Sequence, residues 1–245
     1  MERIDSTSNQ RIKNWAKLLQ KKERDKTGLF LAEGDHLIEE ALKAGIVDVI
    51  LSEHPEQYRF DHVIEAPSHV IQKLCSSRSG TASVAVCRME EPSVLQTDRV
   101  LILDGIQDPG NLGTLIRTAR SFGFDAVVTS ETSCDLYNEK VLRSTQGAVF
   151  QIPVVRRNLS DYVFSLQKQG VYVIATTLAE AVPMKKMNVS DKMAIILGNE
   201  GNGVSLELQK QADQRVRIEM SGFESLNVAV AGGILMYQLQ KQVKI

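Results

Sequence analysis

Val100-Leu-Ile-Leu-Asp104, running into Asp108-Pro-Gly-Asn-Leu-Gly-Thr-Leu-Ile-Arg117, reads as an apolar strand, a loop rich in glycine and asparagine, and the start of a helix. The same grammar returns twice. Ala194-Ile-Ile-Leu leads into Gly198-Asn-Glu-Gly-Asn-Gly203, and Arg215-Val-Arg-Ile218 leads toward Ser225-Leu-Asn227. Ligands of open α/β sheets bind outside the carboxyl ends of strands, where such loops gather. Three of them within the last 150 residues point to one shared pocket.

Around these loops, apolar strands are expected at 100–104, 126–129, 149–155, 171–175, 193–197 and 215–218, with helical stretches between them. That alternation implies a parallel sheet covered on both faces. Upstream, a smaller α/β unit is expected: helices at 35–44 and 67–74, strands at 47–51, 62–65 and 83–87. The polar, turn-rich stretch from Glu90 to Asp98 marks the boundary. Two domains follow, 1–92 and 97–245. At the amino end, Ser8 is placed to cap a helix whose stripe is Ile12, Trp15, Ala16 and Leu19.

Each loop carries its own chemistry. In the first, Gly110 and Gly113 allow close backbone approach with Asn111 between them, and Arg117 points away from the buried face of its helix. Read alone, Arg117 is an ordinary exposed arginine. The second lacks the Lys-Ser/Thr pair of a phosphate cradle. Glu200, among three glycines, would repel a pyrophosphate but tolerate a cationic ligand or pair with an arginine. The third leads into a helix, 226–239, apolar on every side and therefore packed on more than one face. Gly232 and Gly233 inside it cost about 1 kcal/mol each relative to alanine, a cost that makes sense if another backbone comes close. Ser225 and Asn227 stand at its amino end, where free N–H groups favour anions.

Composition narrows the classes. At 43% apolar and 24% charged, the 245 residues are those of a soluble globular protein. No run is long and apolar enough for a bilayer, and no secretory signal is visible. Cys75, Cys87 and Cys134 are odd in number and widely spaced, which argues for reduced thiols in a cytosol, without a disulfide frame or zinc. The four histidines share no metal-ligand spacing, so no metal is expected. The formal net charge of −1 hides an uneven distribution: eight Lys/Arg against four acids in residues 1–26 leave that arm at +4 and the rest at −5. A basic arm on a near-neutral body suits a polyanion, and a solvated amphipathic helix is the bland alternative.

At these residues the chain resembles the SpoU/TrmH family of RNA ribose 2′-O-methyltransferases, in the SPOUT superfamily. Asn111-Leu-Gly-Thr-Leu-Ile-Arg117 with Phe122-Gly123 is similar to its first motif, Leu197 to Gly203 to its second, and Ser225 to Ile234 to its third. Ser144, Gln146-Gly-Ala148 and Ile152-Pro-Val154 also fit, and Phe30 to Gly34 with Glu39 to Leu42 resembles, more loosely, its ribosomal-protein-like substrate-binding domain. The resemblance implies an α/β-knot (SPOUT) domain behind a smaller N-terminal α/β domain, S-adenosylmethionine as cofactor, a homodimer, a cytoplasmic location, and ribosomal RNA as substrate with transfer RNA second. It implies cofactor contacts at Leu197, Gly198, Asn199, Gly201, Ile218, Met220, Leu226 and Asn227, and catalytic roles for Asn111, Arg117, Glu200, Ser225 and Asn227. Arginine keeps its proton in proteins, so Arg117 is expected to clamp a phosphate, oriented by Glu200. RNA contacts are expected from Arg11, Lys13, Lys17, Lys21 and Arg117. One departure is Glu219, where the family often has proline; a local change of loop is expected from it.

Two other classes compete. A non-catalytic RNA-binding protein of the same fold is opposed by the complete motif set. A nicotinamide oxidoreductase is opposed by glycine spacing that is not GxGxxG and by the acidic second loop.

Overall fold

The computed structural model describes residues 2–76, 80–90, 92, 95, 98–222 and 225–240. The chain forms two compact units, Met1–Glu91 with Asp135–Phe150, and Pro92–Cys134 with Gln151–Ile245. Much of the boundary stretch expected at 90–98 lies outside the described residues.

In chain order the first unit holds β1 (Glu2–Arg3), α1 (Gln10–Ala16), α2 (Lys21–Thr27), β2 (Leu29–Glu33), α3 (Asp35–Lys43), β3 (Val47–Ser52), β4 (Val63–Glu65), α4 (Ser68–Gln72) and β5 (Ser83–Arg88). Its strands form a mixed sheet in the order β1-β4-β3-β5-β2. The amino-terminal helix departs from the expectation in two ways. Asn9, not Ser8, caps it, its side chain accepting from Arg11 N at 2.9 Å. The Ser8 hydroxyl is engaged by that of Ser6 at 2.7 Å. The helix then tightens into a 3-10 turn at Lys17–Leu19, which rotates Leu18 into the core and leaves Leu19 exposed.

The second unit begins with β6 (Arg99–Asp104), α5 (Pro109–Ser121) and β7 (Ala126–Thr129). Next in the chain comes α6 (Glu139–Thr145), which belongs with the first unit. Leu142 joins that unit's core, the Tyr137 ring sits 4.7 Å from Phe30, and Asp135 pairs with the buried Arg24. Gly147, at φ +83°, passes so close to Glu40 that a Cβ there would lie 2.5 Å from Cγ. No pattern in the sequence separated this segment from its neighbours.

The rest of the second unit is β8 (Val154–Arg156), α7 (Leu159–Lys168), β9 (Tyr172–Thr176), β10 (Val182–Pro183), β11 (Met193–Gly198), α8 (Leu206–Gln211), β12 (Gln214–Arg217) and α9 (Val228–Leu239). The strand expected over 149–155 is only β8, because residues 148–150 form a 3-10 turn. All pairs of the seven-stranded sheet, ordered β10-β12-β9-β11-β6-β7-β8, are parallel. Val100 and Ile102 cluster with Val163, Leu166 and Leu208 of α7 and α8, while Leu101 and Leu103, which alternate with them, are also fully buried. Burial on both faces explains the unbroken apolar runs of β6 and β11.

α5 is assembled from local signals. Asp108 caps it through Asn111 N at 2.8 Å, Pro109 fills the first turn, and Leu112, Leu115, Ile116 and Ala119 form the buried stripe. α9 packs on α5 and β11. Gly232 is the point of approach: a Cβ there would lie 2.4 Å from Leu115 Cδ2 and 2.7 Å from Leu197 Cδ1. Gly233 has no such neighbour, with Thr118 Cγ2 nearest at 4.0 Å. Only the first of the two glycines answers to a close approach within the chain.

Candidate cofactor site

Sheet order brings the three loops together. β12, β9, β11 and β6 are consecutive neighbours, so the segments leaving their carboxyl ends emerge side by side. The second and third loops and the segment after β9 enclose a cleft of about 520 Å³, within the ~300–1,000 Å³ typical of small-molecule sites; the first loop does not line it and joins it through the bonds of Asn111 to Glu200 and Asn227. Its walls include Leu197, Gly198, Asn199 and Gly201 from the second loop. Ile218, Met220, Ser225, Leu226 and Asn227 come from the third. All eight residues expected to touch the cofactor therefore line one cavity. Glu219 is exposed on the loop after β12.

The second loop folds back on itself. Asn199 and Gly203 exchange backbone hydrogen bonds at 3.0 and 2.9 Å. The Asn199 side chain accepts from Gly201 N and Asn202 N and donates to Gly105 O at 2.8 Å, so it pins the turn to the first loop. A Cβ on Gly198 would fall 2.0 Å from the Gly203 carbonyl carbon and from Val204 N. Glycine is required there by contact with backbone, where nothing can give way.

Glu200 lines the same cleft, but its oxygens reach the first loop. Oε2 accepts from Gln107 N at 3.2 Å, and Oε1 accepts from Asp108 N at 3.2 Å and Asn111 Nδ2 at 2.9 Å. Burial pushes this carboxyl upward, yet the hydrogen bonds from Asn111 and from backbone amides outweigh it and hold the group below the usual range. Asn111 Oδ1 in turn accepts from Asn227 Nδ2 at 2.9 Å, and Asn227 Oδ1 caps α9 through Ala229 N and Val230 N. Glu200, Asn111 and Asn227 thus form one chain of hydrogen bonds joining the three loops.

Arg117 stands elsewhere. It is exposed on α5, does not line the cleft, and its guanidinium makes no hydrogen bond or ion pair with the described residues. The expected orientation of Arg117 by Glu200 is absent among the described residues, since backbone amides and Asn111 take up that carboxylate. Ser225 lines the cleft with a hydroxyl that no described residue engages. Arg11, Lys13, Lys17 and Lys21 are all exposed, in the first unit. Arg11 pairs with Glu2 at 2.6 Å and Lys21 with Asp25 at 2.5 Å. Arg24 leaves the basic arm altogether, because its guanidinium is buried against Leu18 O and Asp135.

The reading from sequence missed Thr176, Thr177, Leu178 and Ala179, which line the cleft where β9 ends. Their position past the carboxyl end of a parallel strand was the available signal. They carry no glycine or asparagine, and so escaped attention. The lining as a whole suits an S-adenosyl compound. Leu197, Val216, Ile218, Leu226 and Leu235 offer apolar surface for a flat ring, and Glu200 contributes negative charge.

Comparison with known proteins agrees with this geometry. Residues 98–237 match the SpoU rRNA Methylase family, and residues 9–85 match the MRM3-like substrate binding domain. The 23S rRNA (guanosine(2553)-2′-O)-methyltransferase RlmP of Bacillus subtilis is 43% identical across 98% of this chain and all of that protein. The AdoMet-bound rRNA methyltransferase of Sinorhizobium meliloti superposes with a TM-score of 0.88 at 31% identity, covering 97% of each chain. An RNA 2′-O ribose methyltransferase does so with a TM-score of 0.82 at 32% identity, again covering 97% of each. The chain belongs to the SpoU family of rRNA methylases, and carries that family's SPOUT-type α/β domain behind an N-terminal substrate-binding domain.

Proposed function

We propose that this protein transfers the methyl group of S-adenosylmethionine to a ribose 2′-hydroxyl of 23S ribosomal RNA. The observation that carries the reading is the meeting of the second and third loops on one cleft, with the first loop tied to both through Asn111, in a chain 43% identical to RlmP over its full length. Leu197, Gly198, Asn199, Gly201, Ile218, Met220, Leu226 and Asn227 hold the cofactor, with the backbone of the folded-back second loop supplying donors and acceptors. When bound, S-adenosylmethionine would supply a sulfonium methyl group for the ribose oxygen, leaving as the neutral thioether while the hydroxyl proton is released to water.

The chain's own residues do the positioning. Asn111, Glu200 and Asn227 lock the loops in register, and the ionised Glu200 keeps negative charge in the cleft wall. Ser225 offers a hydroxyl that no described residue engages to the ribose or to the cofactor. Arg117 clamps the target phosphate and stabilises charge developing on the oxygen. Being fixed in its protonated form it cannot serve as the base. The arm bearing Arg11, Lys13, Lys17 and Lys21 adds phosphate contacts in the first unit.

The working form is a homodimer in the cytoplasm, where ribosomal RNA is modified. Val230, Ile234 and Tyr237 are 52, 37 and 62% exposed and repeat at i, i+4 and i+7, an apolar stripe on α9 that the described residues leave open apart from the edge-on contact of Tyr237 with Phe122. Tyr237→Glu should convert the dimer to a monomer in sedimentation, and a monomeric wild-type protein would remove this part of the reading.

Two measurements test the activity. Calorimetry should show binding of S-adenosylmethionine and none of NADH. Mapping of ribose methylation in 23S RNA with and without the protein should reveal one lost site, and the guanosine named for RlmP is the first position to inspect. Cofactor binding without any change in the methylation map would sink the assignment.

A further inference from the structure

The only tryptophan of the chain, Trp15, stands in a groove of the first unit. The groove holds about 750 Å³. Phe60 and Tyr58 share its lining with Trp15, and each of the three rings is half-buried. His62 meets Phe60 edge-on, with centroids 6.1 Å apart. Arg11 lies over the Trp15 ring at 4.9 Å. Each ring also packs against a core cluster, Trp15 against that of Ile12 and Tyr58 and Phe60 against that of Phe30, so the three are held in place while staying half-open to the groove.

Charge decides what the groove can take. Of its acids, Glu2 is paired with Arg11 and Asp48 with Arg88. Asp61 alone among them makes no hydrogen bond or ion pair with the described residues. Once the pairs cancel, the groove offers aromatic and aliphatic walls and a single unpaired carboxylate. A phosphate would be repelled beside Asp61. A flat, neutral ring edged with N–H donors is the complement, and an unstacked nucleobase is such a ring. Proteins read single-stranded RNA by stacking splayed bases on aromatic or guanidinium planes and bonding their edges.

We infer that this groove holds one unpaired base of the RNA substrate, stacked on the Trp15 and Phe60 walls with its N–H edge toward Asp61. The inference rests on the reading of the protein as an RNA-modifying enzyme, and assigns to the first unit a base-reading role beyond phosphate contact. Asp61 can accept from the amino groups of guanine, adenine or cytosine, while uracil presents only its ring N–H.

Because Trp15 has no counterpart elsewhere in the chain, its fluorescence reports on this groove alone. In the full-length protein, single-stranded ribo-oligonucleotides should quench Trp15 emission to saturation, and a blunt RNA duplex should not. Phe60→Ala should weaken binding of the single strand about tenfold, as loss of a stacking partner does, and Phe60→Tyr should restore it. Asp61→Asn should level the preference among homopolymers while leaving duplex binding unchanged. RNA binding seen by anisotropy with no change in Trp15 emission would overturn the subsite, and would leave the groove to a protein partner. Failure to bind any RNA would overturn the underlying reading together with the subsite.

Discussion

The side-chain nitrogen of Asn111 donates to Glu200 Oε1 at 2.9 Å, joining two loops that are 89 positions apart in the chain. That carboxylate also accepts from Gln107 N and Asp108 N, at the amino end of α5, where helix N–H groups lack partners of their own. It does for α5 what an acidic cap does for a helix, but from a different part of the fold.

A pH dependence follows from the depressed value of Glu200. A carboxyl whose folded pKa lies below its unfolded one adds stability that is fully present above the unfolded value. That contribution disappears as pH falls through the folded value. Wild type should hold its cofactor affinity and melting temperature down to the ordinary carboxylate range and lose both below it. Glu200→Gln should start lower at neutral pH and show a flatter acid limb. Parallel acid limbs in the two proteins, followed by thermal melting across pH, would remove Glu200 from this role.

Arg117 separates binding from turnover. It lies outside the cleft and its guanidinium bonds to no described residue, so its removal leaves the lining intact. Arg117→Ala should lower methyl transfer by about a hundredfold or more, on the scale of losing one charge-stabilising donor. Cofactor affinity by calorimetry should stay near wild type. Arg117→Lys keeps the charge without the two-pronged geometry and should fall between them. Near-normal methylation by the alanine variant would reject the assignment.

The two adjacent glycines of α9 should respond in opposite directions. A methyl on Gly232 would meet Leu115 and Leu197, which are 0 and 1% exposed and have no room to turn aside. Gly232→Ala should cost about 1–3 kcal/mol, as overpacked cores do. Gly233→Ala meets only Thr118 at 4.0 Å and should be neutral or gain up to about 1 kcal/mol from helix propensity. Urea denaturation of both variants measures the difference, and equal costs would mean that the close approach is not at Gly232.

What was legible in the chain follows from physical range. The strands of the second unit announced themselves because burial on both faces demands continuous apolar runs, and the loops because close backbone approach demands glycine. The cleft wall at Thr176–Ala179 left no such trace, since ordinary residues become part of it through strand order alone. Glu200 was recognised as a negative charge among glycines. That its partners would be the amides of Gln107 and Asp108 and the side chain of Asn111 depended on three-dimensional neighbours. Leu19 and Leu18 exchanged places for a local reason, the 3-10 turn, which helical periodicity does not anticipate.

Arg24 and Asp135 provide the strongest test of the division into units. Counting charges placed Arg24 in a basic arm facing RNA, but its side chain is 7% exposed and that of Asp135 is 17% exposed. Removing one partner of a buried pair leaves the other without compensation, at a cost of about 3–5 kcal/mol. Asp135→Ala should therefore destabilise strongly, whereas Lys21→Ala, which breaks the exposed pair with Asp25, should cost no more than about 0.5 kcal/mol. Deleting residues 1–90 would strip Phe30 from Tyr137 and Phe150 and leave Leu142 without its cluster, so the remainder should expose apolar surface and bind hydrophobic dyes. A truncated protein that stays monodisperse and dye-silent, or an Asp135→Ala variant as stable as wild type in guanidinium, would show that 135–150 does not depend on the first unit.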